Sequence, residues 1–121
     1  IAYGLMLHTC LEAASRLRDE HGISVEVVDV RTISPLDTET ILASVRKTGK
    51  ALVVYEDNRT YGAGAEIAAT IAEEAMFDLD GPIVRIGGPD VPAMGFAGNL
   101  EHAFMPNADR VGDAMLELAR F

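Results

Sequence analysis

One cysteine in 121 residues, Cys10, rules out a disulfide framework and fits a reducing compartment. No apolar run reaches the roughly 18 residues that a membrane-spanning helix needs. No basic-then-apolar leader opens the chain. Basic residues are scarce: ten Lys plus Arg face 19 Asp plus Glu, a net charge of −9. Such a field repels nucleic acid and anionic membranes and favours a basic partner, although acidity is also a plain route to solubility. Repeats and low-complexity segments are missing too.

Chemistry-bearing motifs are equally thin. His8, His21 and His102 lie far apart and belong to no spaced ligand motif, so they read as surface or capping residues. Cys10 falls on the apolar face of its helix with no neighbouring base, the ordinary setting of a small buried hydrophobe. Gly62 and Gly64 follow a strand and open a helix, where phosphate-binding loops occur. The third glycine of a dinucleotide fingerprint is replaced by Ile67, and Glu56, Asp57 and Glu66 would repel an anion. A tight turn with close packing is the simpler reading of these glycines. Glu56, Asp57 and Arg59 form the densest polar cluster, at a strand end where open α/β sheets bind ligands. Adjacent strand-end acids point apart, however, and are more often solvated or paired with an arginine than catalytic.

What is present is hydrophobic pattern. At 49% hydrophobic the chain can bury one sizeable core, so residues 1–121 are expected to form a single domain. The stretch from Ser24 to Asp57 reads as strand, loop, helix, strand. Ser24–Val30 and Ala51–Tyr55 are β-branched runs of the kind buried on both faces of a sheet. Between them Asp37 is a helix N-cap, Ile41, Leu42 and Val45 form the apolar stripe, and Gly49 closes the helix. The unit is a right-handed parallel crossover. Ile1–Tyr3 resembles the tail of a first strand, which points to a domain excised from a longer chain. A helix follows with Leu7, Cys10, Leu11, Ala14 and Leu17 on one face, capped by Gly22. A slim alanine-rich helix runs from Gly64 to Met76, Ile83–Ile86 is a short strand, and Gly87–Pro106 reads as irregular. Asn107 caps a closing helix whose stripe is Val111, Ala114, Met115 and Leu118. Alternating strands and helices give an α/β fold, a three-layer α/β/α sandwich with a mostly parallel sheet. Five strands are expected.

Several segments in order carry a family resemblance: AYGLMLHTCLEAA, ISVEVVDVRTISPLDTETILASVRKTGKALVVYEDN, GAEIAATIAEEAMFDLDGPIVRIGGPDVPAM and FMPNADRV. Arg31-Thr32-x-Ser34-Pro35-Leu36-Asp37 and Gly88-Pro89-Asp90-Val91-Pro92 are its most specific pieces. Together they resemble the C-terminal transketolase-type domain of the beta subunit of 2-oxoacid dehydrogenase decarboxylating components, over essentially the whole chain. Glu56-Asp57-Asn58 and Phe104-Met105-Pro106-Asn107 are more similar to branched-chain (2-oxoisovalerate) members than to pyruvate or acetoin ones. The chain departs from the family at Tyr61-Gly62-Ala63-Gly64, where Gly-Gly-Phe-Gly is common, at Tyr55, where a His is frequent, and at Gly95, where a Pro is usual.

The resemblance implies an assembly role inside an oxidoreductase whose isolated C-terminal domain is inactive. Such beta subunits pair with an alpha subunit and a second beta subunit in a heterotetramer, and thiamine diphosphate with Mg lies outside this domain. The resemblance implies no catalytic, cofactor-binding or metal residue here. It implies docking of the small basic subunit-binding domain of a lipoyl acyltransferase core at the chain end, with Leu118, Phe121 and Asp90 as candidate docking residues. Gly64, Ala65, Ala68, Ala69, Ala72, Met94 and Phe96 are the candidate subunit-interface residues, chosen for small side chains and for the long irregular stretch. The implied location is the cytoplasm, or the mitochondrial matrix in a eukaryote. Two alternatives stay open: a pyruvate or acetoin substrate, and a free-standing module binding a small anion in the Thr60–Glu66 loop.

Overall fold

The computed structural model describes all of residues 1–121. Helix α1 spans Met6–His21, α2 Thr38–Thr48, α3 Ala63–Ala75, α4 Gly98–Phe104 and α5 Ala108–Leu118, with strands β1 at Ala51–Asn58 and β2 at Ile83–Gly88. β1 and β2 pair in parallel, from Ala51 with Ile83 to Val54 with Ile86, with an irregularity before Asn58 meets Gly88. On the other side of β1, Ala2 bridges both Val54 and Asp29 in parallel. Val54 N–H donates to the Ile1 carbonyl, Ala2 N–H to Val28 and Val30 N–H to Ala2. The sheet order is therefore the Val28–Val30 segment, Ile1–Tyr3, β1, β2.

Alternation along β1 divides the core, because successive strand residues face opposite sides. Leu52 and Val54 pack with Met6, Cys10, Ala13 and Leu17 of α1 and Val111, Met115 and Leu118 of α5. Val53 and Tyr55 pack with Ile41, Leu42 and Val45 of α2 and Ile67, Ile71 and Ala75 of α3. Two helical layers thus cover one sheet, the three-layer arrangement expected from the alternating elements. No helix is long and apolar enough to cross a membrane.

Four expectations need correction. The sheet is not five-stranded: β1 and β2 are its two regular strands, and Ile1–Tyr3 and the Val28–Val30 segment add only single bridges. Ser24–Val30 is not buried on both faces, since Val28 and Val30 are buried while Ser24, Glu26 and Asp29 are exposed. With only Ala2 to pair against, that segment has no long ladder to regularise it. The Gly87–Pro106 stretch is not irregular throughout, because β2 runs to Gly88 and α4 forms at Gly98–Phe104. The α1 stripe is also rotated slightly, to Met6, Cys10, Ala13 and Leu17, leaving Leu11 exposed.

The helix ends follow the sequence signals. Asp37 accepts from Thr40 N–H at 3.0 Å and from the Thr40 hydroxyl at 2.7 Å, and those bonds hold its carboxyl below the usual carboxylate range. Asn107 accepts from Arg110 N–H at 2.9 Å. Gly22 and Gly49 close α1 and α2 in the left-handed conformation.

Candidate functional site

Polar and strained features concentrate where β1 and β2 end, at the carboxyl edge of the sheet. Tyr55, the last buried residue of β1, organises that edge. Its ring is fully buried, stacks on Tyr3 with centroids 6.2 Å apart, and occupies the space beside three glycines. A Cβ at Gly64 would overlap the ring, and Cβ atoms at Gly62 or Gly87 would lie 2.9 Å from it. The glycines therefore make room for an aromatic side chain. A diphosphate or other anion placed there would also meet Asp57, whose carboxylate is 3.3 Å from the Gly62 Cβ position, and Glu66 in the first turn of α3. A metal-free anion held by the loop backbone would therefore meet like charge there.

The Tyr55 hydroxyl donates to the Arg59 carbonyl at 3.2 Å, and Arg85 Nη1 donates to the same carbonyl at 2.9 Å and to the hydroxyl at 3.3 Å. Arg59 N–H donates to the Gly88 carbonyl at 3.0 Å. The Asp90 carboxylate then accepts from Thr60 N–H at 3.1 Å and from the Thr60 hydroxyl at 2.6 Å. The first two residues of the loop after β1 are thus tied to the end of β2 and to Asp90 just beyond it. Burial, aided by the nearby Asp57, Tyr55 and Glu56 charges, pushes the Tyr3 phenol up to about 12. These groups hold a loop in place. They do not form a nucleophile–base pair.

The Asp90 clasp has a pH signature. The Thr60 hydroxyl, then its N–H, holds the Asp90 carboxyl below the ordinary range. A depressed folded value stabilises fully above the unfolded value of about 3.9 and is lost as pH falls through the folded value. Relative to the intrinsic rate at each pH, amide exchange at Thr60 is expected to stay slow at neutral pH and to become faster below about pH 4. In Asp90→Ala it is expected to be fast at both. Equal exchange rates in the parent and in Asp90→Ala would show that the clasp does not hold the loop.

The other residues singled out from the sequence lie elsewhere. Gly64 is buried against Tyr55, Ala65, Ala68 and Ala72 are half-buried, and Ala69 is exposed, so α3 offers only a narrow outward strip. Met94 is exposed and Phe96 is wholly so. Leu118 is 5% exposed and belongs to the core, whereas Phe121, three residues on, is 68% exposed with its Cβ above Gly81. No three of the His, Cys, Asp and Glu side chains converge as a metal set. Cys10 is buried among apolar residues, which pushes its thiol up. Sequence reasoning gave no structural role to Tyr55, Arg85 or Tyr61. A bulky residue closing a buried run and followed by Gly62 and Gly64 was the signal for the first.

A cavity of about 170 Å3 opens at the opposite, amino edge, lined by Ile1, Ile23, Val25, Val27, Leu52 and Met115 among others. It is mainly apolar, with Ser24, Glu26, Ser44, Thr48 and Lys50 on its polar side. A second hollow, between α1 and α5, is spanned by the exposed Arg16–Asp109 ion pair at 2.6 Å.

This fold matches a known domain. The family described as "Transketolase, C-terminal domain" covers residues 1–111. This chain belongs to the transketolase C-terminal domain family. Among relatives, the 2-oxoisovalerate dehydrogenase subunit beta of Bacillus subtilis is 51% identical over 121 residues, all of this chain and 37% of the relative. The pyruvate dehydrogenase E1 component subunit beta of the same species is 49% identical over 90 residues, 74% of this chain and 27% of the relative. The 3-methyl-2-oxobutanoate dehydrogenase subunit beta of Mycobacterium tuberculosis is 37% identical over 120 residues, covering 99% and 34%. A solved structure titled "Split gene transketolase, inactive beta4 tetramer" superposes with a TM-score of 0.80 at 31% identity, over 98% of this chain and 37% of that one. The chain spans roughly a third of the length of the relatives it matches. In this transketolase C-terminal domain, Arg31–Asp37 forms the turn entering α2, and Gly88–Pro92 supplies the Asp90 clasp.

Proposed function

We propose that this chain is the C-terminal assembly and docking domain of the beta subunit of a thiamine-diphosphate-dependent 2-oxoacid dehydrogenase. The whole enzyme would decarboxylate a branched-chain 2-oxoacid oxidatively and pass the acyl group to lipoyl-lysine. One observation carries the reading. Tyr55, Thr60, Arg85 and Asp90 at the carboxyl edge are engaged in anchoring its loop, while large apolar side chains stand in solvent, with Tyr61 99% and Phe96 107% exposed. Such a surface suits contact with protein. The 51% identity to a protein named 2-oxoisovalerate dehydrogenase subunit beta favours the branched-chain substrate.

In this reading thiamine diphosphate and Mg sit between the alpha subunit and the rest of beta, and the cofactor supplies the carbanion chemistry. The residues of this domain make none of that site; they hold beta against its neighbours in an alpha–beta heterotetramer. Ala65, Ala68, Ala69, Ala72, Met94 and Phe96 would face subunits, with Gly64 shaping α3 from within. Phe121, set by the buried Leu118, would meet the basic subunit-binding domain of the acyltransferase core, and the Asp90 clasp would shape the opposite edge. The setting is the bacterial cytoplasm, or the mitochondrial matrix in a eukaryote.

Ala69→Leu in the whole beta subunit places a branched side chain on the exposed strip of α3. The expected result is unchanged folding of beta with impaired co-purification with alpha. Full assembly and activity in Ala69→Leu would remove α3 from the interface.

A further inference from the structure

Tyr61 is where this fold gives up local comfort. Its φ is +60°, the left-handed region, and the other left-handed positions are all glycine: Gly4, Gly22 and Gly49. A side chain there crowds its own carbonyl, so glycine is the cheaper residue. The usual compensation is burial or an internal hydrogen bond. Tyr61 has neither, being 99% exposed with no polar partner inside the chain. The chain before it is nonetheless fixed, by Arg59 held between Gly88, Arg85 and Tyr55 and by Thr60 clasped to Asp90, and after it Gly62 packs against Tyr55 and α3 begins at Ala63. A rigid loop that holds a strained, fully solvated aromatic ring presents that ring to something outside the chain. Tyrosine suits the task, since it offers a large apolar area and a hydroxyl with only two side-chain torsions to order.

The charge around it narrows the partner. Glu56, Asp57, Glu66 and Asp90 flank the loop against Arg59 and Arg85, and no ion pair neutralises any of the four acids. A second copy of this −9 chain would bring like charge to like charge. We propose that Tyr61 is an anchor residue for a different, basic-rimmed polypeptide, which in the reading above is the alpha subunit. Its ring enters an apolar pocket on that subunit while the surrounding acids meet the rim. The inference rests on the assembly reading and adds to it a named residue, a side of the fold and a charge.

The test is association of the whole beta subunit with purified alpha subunit, measured by calorimetry at low and high salt, alongside the thermal midpoint of each beta variant alone. Tyr61→Gly removes both the ring and the left-handed crowding. The expected result is a thermal midpoint equal to the parent or up to about 4 °C above it, together with association weaker by about tenfold or more. Tyr61→Phe is expected to associate within about twofold of the parent, and added salt to weaken parent binding. Only a partner-facing residue gives that split between stability and assembly. Tyr61→Gly binding alpha as tightly as the parent overturns the inference alone, as does a lowered thermal midpoint. A salt-insensitive parent association, or a self-association of beta that depends on Tyr61, overturns the basic partner. A parent beta subunit that does not bind alpha at all overturns the assembly reading and this inference with it.

Discussion

Replacing Tyr55 by alanine is expected to destabilise the domain by about 3–5 kcal/mol, measured by chemical denaturation. The ring is fully buried and closes the core between β1, α3 and Tyr3, and the glycine backbones around it cannot collapse into the space it leaves. The substitution also leaves Arg85 Nη1 with only the Arg59 carbonyl to serve. Against a total stability of about 5–15 kcal/mol, such a loss unfolds a large share of the molecules at growth temperature. Tyr55→Phe keeps the ring and gives up the hydroxyl bonds, so its cost is expected to be about 1 kcal/mol. A Tyr55→Ala cost below about 1 kcal/mol would mean the ring is not the organising element of the carboxyl edge.

The reciprocal substitution, Gly64→Ala, is the second large effect. Alanine is the better helix former by about 1 kcal/mol, so α3 in isolation gains from it. In the fold its Cβ falls inside the Tyr55 ring, and overpacking of this kind costs about 1–3 kcal/mol or more. The two contributions oppose each other, and overlap with a buried ring wins over propensity. Since the clash needs both partners, Gly64→Ala is expected to be far less damaging in a Tyr55→Ala background. A double-mutant cycle measures that coupling directly, and additive costs would show that the two residues do not compete for one space.

That pair also shows how far the sequence could be read. Ala51–Tyr55 and Ile83–Ile86 were legible as strands, because β-branched runs bounded by turn residues have few other solutions. The caps at Asp37 and Asn107 were legible too, since the bond each one makes lies three residues away. What failed to show depends on long-range pairing. The Val28–Val30 segment has strand composition, yet its order is set by how much neighbouring chain exists to pair with it, here Ala2 alone. Asp90 read as a surface acid available to a partner, because nothing local reveals that Thr60, 30 residues earlier, takes both of its oxygens. Leu118 and Phe121 looked alike as the end of an apolar helix. The structure separates them, burying Leu118 beside Val111 and Met115 and leaving Phe121 on the outside. The internal use of Tyr55, Thr60, Arg85 and Asp90 was not legible from the sequence.

The measurement that bears most directly on the docking claim is a calorimetric titration of the beta subunit with a basic subunit-binding domain from an acyltransferase core. It is run with the parent chain and with one lacking Phe121, at two salt concentrations. The expected result is binding by the parent that weakens as salt rises, and loss of most of that binding without Phe121. Equal binding by both chains would move the contact away from the exposed end of α5. No binding by either, with the alpha subunit present, would contradict the docking role.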